Sequence, residues 1–185
     1  EMCIRDSSWS LWFPMLSAHL YSYGYSEVEV GVMITLSGLI QTIVMPGAGS
    51  LTDRLGAYFA LALSEILGAT GAILLIFPTI PIAVWVSMGM LGASIALWIP
   101  AYNSLIAKVG GGTGEAYAGA NTVRSLAGAP GPYIGGLAYD IISPATPFAA
   151  SFLLLVIASL MVVTMVKRAE ARALKTNETV NNAMQ

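Results

Sequence analysis

Charge is what this chain has least of. Only 10% of its 185 residues are Asp, Glu, Lys or Arg, against about 25% in soluble domains. That is too little to cover a water-facing surface, and 56% of the residues are hydrophobic, with a mean hydropathy of +0.74. A lipid-facing surface is expected to be apolar, so the shortage points to a bilayer. Cysteine occurs once, as Cys3, which excludes an internal disulfide and a cysteine metal cluster. Histidine also occurs once, as His19, which excludes a multi-histidine metal site. No metal or cofactor is expected. The opening residues 1–8 are polar and lack the basic-then-apolar layout of a signal peptide. They are expected to be a non-native or linker remnant, so Cys3 and Arg5 are given no role.

Long apolar runs are what the chain has in abundance. A spanning helix needs roughly 20 apolar residues, and six candidate runs appear at about 9–23, 28–48, 58–77, 82–107, 116–139 and 147–166. They make 9–167 an all-α bundle of six transmembrane helices. Residues 168–185 are expected to form a polar, frayed cytoplasmic tail with little to bury. The connections are short: Pro78 to Pro81 turns between the third and fourth runs, and Gly110 to Gly114 links the fourth and fifth. Short loops make successive helices antiparallel neighbours.

Laid on that topology, the charges sort by side. Arg54, Lys108, Lys167, Arg168, Arg172 and Lys175 fall on one side with Arg5, and Arg124 lies inside the fifth run nearer that side. The opposite loops carry Glu27, Glu29 and Asp140 with no Lys or Arg. The positive-inside rule makes the basic side cytoplasmic, with the N-terminus and the tail on it, and the membrane is expected to be the plasma or inner membrane.

Two motifs stand out. The stretch Gly49-Ser-Leu51-Thr-Asp53-Arg54-Leu-Gly56 lies between the second and third runs, on the basic side. It reads as a tight turn. Gly49 and Gly56 permit close approach and unusual backbone angles. Asp53 near a helix N-terminus would be favoured by ~0.3–1 kcal/mol, and Arg54 is placed to meet an acid or a lipid phosphate. The second motif is Gly128-Ala-Pro130-Gly131-Pro132-Tyr-Ile-Gly135-Gly136 in the fifth run. Its glycines let a neighbouring helix come close, and its prolines bend the helix.

The first motif resembles the G-x-L-x-D-R-x-G signature of the major facilitator superfamily. That signature lies between helices two and three and recurs more weakly between helices eight and nine. The basic residues that usually follow are replaced by Ala57-Tyr58, as in the weaker copy. The second motif is similar to the G-P-x-x-G-G pattern of the fifth and eleventh helices, although the spacing to Gly119 and Gly128 is one residue short of the fuller pattern linked with antiport. In the first half of such proteins the fourth helix usually carries an arginine four residues before a glycine. Here Met88 precedes Gly92. The resemblance covers about residues 9–167 and implies the C-terminal six-helix half, helices seven to twelve, of a secondary transporter, and so a fragment. Its partners would be the bilayer, a missing N-terminal half, an unidentified small solute and, for export by antiport, protons. The implied mechanism is alternating access around a midplane site.

By the same resemblance the first and fourth helices of each half line the cavity, which nominates Ser17, His19, Trp98, Tyr102 and Asn103. His19 lies near the outer interface beside Tyr21 and Tyr23, where a hydrogen bond to a neighbour is the plainer role. Glu65 and Arg124 are the charges within runs, and such charges are costly in lipid. Arg124 is expected to pair with an acid of the missing half, and Glu65 with Arg54 or Arg124. Gln41, Asn121 and Ser125 are expected to bond between helices. Enzyme readings fare worse. Gly47-Ala-Gly49 does not open a dinucleotide fingerprint, since position 52 is Thr, and Gly110 to Gly114 lacks the Lys-Ser/Thr of a phosphate loop. A Ser50 hydrolase would need His19, which lies toward the opposite membrane face. No basic stripe supports nucleic-acid binding. The competing reading from another class is a six-helix membrane scaffold or assembly subunit that transports nothing.

Overall fold

The computed structural model describes residues 2–183, with side chains as far as Thr164. Among the described residues there is no strand. The helices are α1 (Met2–Trp12), α2 (Leu16–Ser22), α3 (Glu27–Leu55), α4 (Ala57–Leu74), α5 (Pro81–Gly110), α6 (Gly114–Gly128), α7 (Gly131–Ile141) and α8 (Thr146–Ala183), with a 3-10 turn at Phe13–Met15 joining α1 to α2.

Local chemistry sets most of the boundaries. Ser26 caps α3 by accepting from the Glu29 amide at 3.3 Å, while Glu29 Oε2 accepts from the Ser26 amide at 2.8 Å. Pro81 opens α5, where its missing N–H costs nothing. Gly111 closes α5 at φ +67. Thr113 caps α6 by accepting from the Ala116 amide at 3.3 Å. Pro14 and the pair Pro130 and Pro132 remove amides, and there the first and fifth expected spans each break in two. Pro46 and Pro100 sit inside α3 and α5 without interrupting them.

Among the described residues, four helices are long and apolar enough to cross a membrane: Glu27–Leu55, Ala57–Leu74, Pro81–Gly110 and Thr146–Thr164. These correspond to the second, third, fourth and sixth expected runs. α5 packs between α3 and α4, α8 packs between α4 and α1, and α1 lies against α6 and α7. One apolar cluster, around Trp12, Leu20, Met33, Leu75, Met88 and Phe148, fills one end. A second, around Leu61, Trp98, Tyr102, Ile106 and Val162, fills the end where α3 turns into α4. Lipid-sized apolar residues such as Val28, Ile43, Leu153 and Leu160 remain exposed, as a bilayer-facing surface requires.

Several expectations are corrected by this geometry. Residues 1–8 do not stand outside the bundle as a linker: Met2 to Ser8 form the first turns of α1, and Arg5 is 4% exposed. Residues 168–183 are not frayed in the backbone, because α8 continues to Ala183. The expected tail positions 184–185, and the side chains of Lys167, Arg168, Arg172 and Lys175, lie outside what is described. The stretch from Gly49 to Leu55 is helical, so the turn is Gly56 alone, at φ +92 and ψ +152. Only glycine adopts that backbone region readily. Asp53 therefore lies in the last turn of α3, the end of the helix dipole that favours its neighbour Arg54 rather than a carboxylate.

Candidate functional site

α1 and α7 approach each other backbone to backbone because two glycines of α7 face α1, with Gly128 at the end of α6 beside them. A Cβ at Gly135 would lie 2.7 Å from the Leu11 carbonyl carbon, and one at Gly131 would lie 2.6 Å from Ser10 Cβ. At Gly128 the nearest atom is the Asp6 carbonyl oxygen, at 3.5 Å. Gly136 is looser, with Met15 Cε at 3.9 Å, and Pro132 is exposed beside the break that starts α7. Small residues permitting such contact are the usual device of membrane helix packing.

Directly beside this contact the two interrupted helices open a cleft of about 600 Å³, lined by residues that include Asp6, Trp9, Phe13, Asn121, Arg124 and Ser125. Arg124 dominates it. Its Nη2 donates to Asp6 Oδ1 at 2.9 Å and its Nε donates to Asp6 Oδ2, a bidentate pair. Nη1 donates to Asn121 Oδ1 at 3.0 Å, and the Tyr102 hydroxyl donates to the same oxygen at 3.2 Å. The guanidinium carbon lies 4.3 Å from the Trp98 ring centre and 4.7 Å from that of Tyr102. Those two rings stack at 4.5 Å. Arg124 is thus held on an aromatic platform with one edge fixed by a carboxylate. It lies ten positions into α6, about 15 Å along the axis from the first residue of that helix.

A second charged group lies deeper. Arg5 Nη1 donates to Glu65 Oε1 at 2.6 Å and to Ser64 Oγ at 3.2 Å, and Nη2 donates to Ser94 Oγ at 3.1 Å. Arg5 and Glu65 are 4% and 0% exposed. Ser94 in turn donates to the Ser64 carbonyl at 2.8 Å. The Arg5 guanidinium carbon also lies 5.1 Å from the Trp98 ring centre, on the ring that carries Arg124. The two ion pairs therefore share one aromatic side chain. Nearby, the Ser8 and Ser151 hydroxyls bond at 2.6 Å and tie α1 to α8.

For Glu65 the expected partner is replaced. Glu65 pairs with Arg5, not with Arg54 or Arg124. Arg124 pairs with Asp6 of this chain, a residue that sequence reasoning passed over. Of the expected cavity residues, Trp98 and Tyr102 lie at the Arg124 platform, and the others are elsewhere. His19 is 1% exposed and away from the cleft. Its Nε2 bonds the Leu75 carbonyl at 3.1 Å, and its ring packs 4.5 Å from Phe148. Asn103 is exposed, and only its backbone carbonyl is used, by the Tyr117 hydroxyl at 3.1 Å. Ser17 is half-buried on α2 and away from the cleft. Asn121 makes the expected bond between helices, whereas Gln41 and Ser125 make none among the described residues. Gly49, Leu51, Asp53, Arg54 and Gly56 lie together where α3 turns into α4, and Asp53 and Arg54 are exposed without an ion pair among the described residues.

No individual curated protein matches the chain. The family model of the Major Facilitator Superfamily matches residues 2–183. With nearly its whole length covered, and with apolar helices long enough to cross a bilayer, this chain belongs to the major facilitator superfamily of secondary transporters.

Proposed function

We propose that the chain is a six-span half of an alternating-access transporter, the C-terminal half, and that the Arg124 cleft is its wall of the solute path. On this reading α1 with α2 forms an interrupted first span and α6 with α7 an interrupted fifth. Broken helices in transporters belong where they line a cavity, because freed backbone groups need water or protein partners. The observation that carries the reading is the Arg124–Asp6 pair, one to two turns before the breaks, in a cleft whose wall also includes Phe13, Pro14 and Gly128 beside them. A charged pair at membrane depth, beside an open cleft rather than sealed in the core, is what a solute path needs. The glycine contact between α1 and α7 would let the two sides of that path move as one body. The Gly49–Gly56 stretch, with Arg54 and Lys108, would lie on the cytoplasmic side and help hold the inward-closed state. The cycle would run as export driven by protons.

The test is flux in proteoliposomes containing the whole transporter, with pyranine inside to report proton movement. A panel of small organic anions, cations and sugars is added with and without an imposed pH gradient. The reading expects at least one solute to move protons through the protein, and expects Arg124→Gln to abolish that movement. No flux for any solute, with the protein intact and inserted, would favour a non-transporting membrane subunit instead.

A further inference from the structure

The side chains of the cleft offer more unused hydrogen-bond donors than unused charged acceptors. Asp6 is the one carboxylate in the lining, and Arg124 occupies both of its oxygens. The Asn121 carbonyl oxygen already accepts from Tyr102 and Arg124. The donors are a different matter. A guanidinium has five N–H groups, and Arg124 uses one on Nε and one on each Nη, which leaves one hydrogen on each Nη. Asn121 keeps its amide NH2. The indole nitrogens of Trp9, in the lining, and Trp98, under Arg124, are buried without a partner. Much of the remaining wall, including Phe13, Pro14 and Ile95, is apolar.

From this, the geometry points to an organic anion as the solute: a carboxylate or similar oxyanion on a ring-sized apolar body, seated against Trp9 and Phe13 with its charge on the free edge of Arg124. The inference rests on the cleft being the solute path. The Trp98–Tyr102 platform fixes the guanidinium plane, so the free edge is already oriented for a planar oxyanion. A cation of the same shape meets the Arg124 charge and must share Asp6, the one carboxylate of the lining, with that guanidinium. A neutral solute gains only the apolar wall. Asp6 competes for the same guanidinium, so it tempers the affinity rather than creating it.

Calorimetric binding to the purified protein in detergent, corrected for uptake by empty micelles, tests this with three compounds on one ring: 2-naphthoate, 2-naphthamide and 2-naphthylmethylammonium. The expected result is naphthoate binding at least tenfold tighter than the other two. Asp6→Asn should tighten naphthoate several-fold, an effect that a purely structural ion pair would not produce. Arg124→Lys should weaken it tenfold or more. Asp6→Asn with Arg124→Gln, which leaves neither charge alone in the cleft, should erase the preference. The proposal is overturned if the ammonium compound binds as well as naphthoate, if none of the three binds, or if the preference survives the double substitution. Flux separates the two readings. Arg124-dependent naphthoate binding without any flux upholds the recognition site and sinks transport. Arg124-dependent flux of a cationic or neutral solute, without naphthoate binding, upholds the solute path and sinks the anion site.

Discussion

Replacing Gly135 by alanine puts one methyl group where two helix backbones meet. That methyl would lie 2.7 Å from the Leu11 carbonyl carbon and 3.1 Å from Leu11 Cα, with the carbonyl oxygen closer still, whereas ordinary contact needs 3.4–4 Å. α1 and α7 must then separate by roughly 1 Å, a gap that forfeits about a quarter to a half of the dispersion energy of each contact along the seam. Overpacking typically costs about 1–3 kcal/mol, and the upper end applies here because backbone atoms cannot rotate away. Two controls share the chemistry but not the contact. Gly136→Ala has only Met15 Cε at 3.9 Å to meet, and Gly119→Ala meets nothing within 4 Å. Both should be neutral, or more stable by up to about 1 kcal/mol because glycine is a poor helix former. Unfolding by added SDS in a mild detergent, followed by tryptophan fluorescence, reads all three. If Gly135→Ala stays within about 0.5 kcal/mol of the parent while the controls behave as stated, α7 does not approach α1 through its glycines and the reasoning fails.

Arg5→Ala strips the guanidinium from a Glu65 that is 0% exposed, and should cost about 3–5 kcal/mol in the same unfolding assay. Arg5→Met with Glu65→Leu should recover most of that loss, since an apolar pair can replace a buried ion pair. Gly56→Ala forces a side chain onto φ +92 and ψ +152 and should cost about 1–3 kcal/mol, with no loss if the turn relaxes to an ordinary conformation. His19→Gln removes a buried ring bonded to the Leu75 carbonyl and should cost about 1–3 kcal/mol while leaving the pH profile of flux unaltered. A flattened profile would place His19 on a proton path. Trp98→Leu removes the ring under Arg124; with the cation–π contact gone, flux should fall more than stability, by about 0.5–2 kcal/mol in apparent solute binding.

Hydropathy made the long spans legible. α3, α4, α5 and α8 start within a few residues of the expected runs because twenty apolar residues with few charges leave little choice of environment. The glycine–proline stretch was legible as a packing element, since only small residues let backbones touch, though not which helix it would meet. The breaks were harder to place. Pro14 lies inside an apolar run and Pro130 and Pro132 inside a glycine-rich one, whereas Pro46 and Pro100 sit in equally apolar runs and break nothing. Neighbouring packing decides such cases, and periodicity does not carry it. The ion pairs were the least legible. Arg5 and Glu65 are 60 positions apart and Asp6 and Arg124 are 118 apart, so no local spacing links them. A short polar opening also has the composition of a linker, and only the docking of α1 against α6, α7 and α8 reveals that it carries partners for both Glu65 and Arg124.

The central claim is that the Arg124 cleft lies on a water-filled solute path rather than in lipid. Cysteine accessibility measures this directly. Ser125→Cys, in a Cys3→Ser background of the whole transporter in membrane vesicles, places a thiol in the cleft wall. Leu160→Cys places one on the α8 surface, where Leu160 is 61% exposed. A charged, membrane-impermeant thiol reagent should label position 125 readily, and position 160 hardly at all. A solute that is transported should slow the labelling at 125. Equal, negligible labelling at the two positions would mean that the cleft is lipid-filled or closed by protein, and would contradict the account.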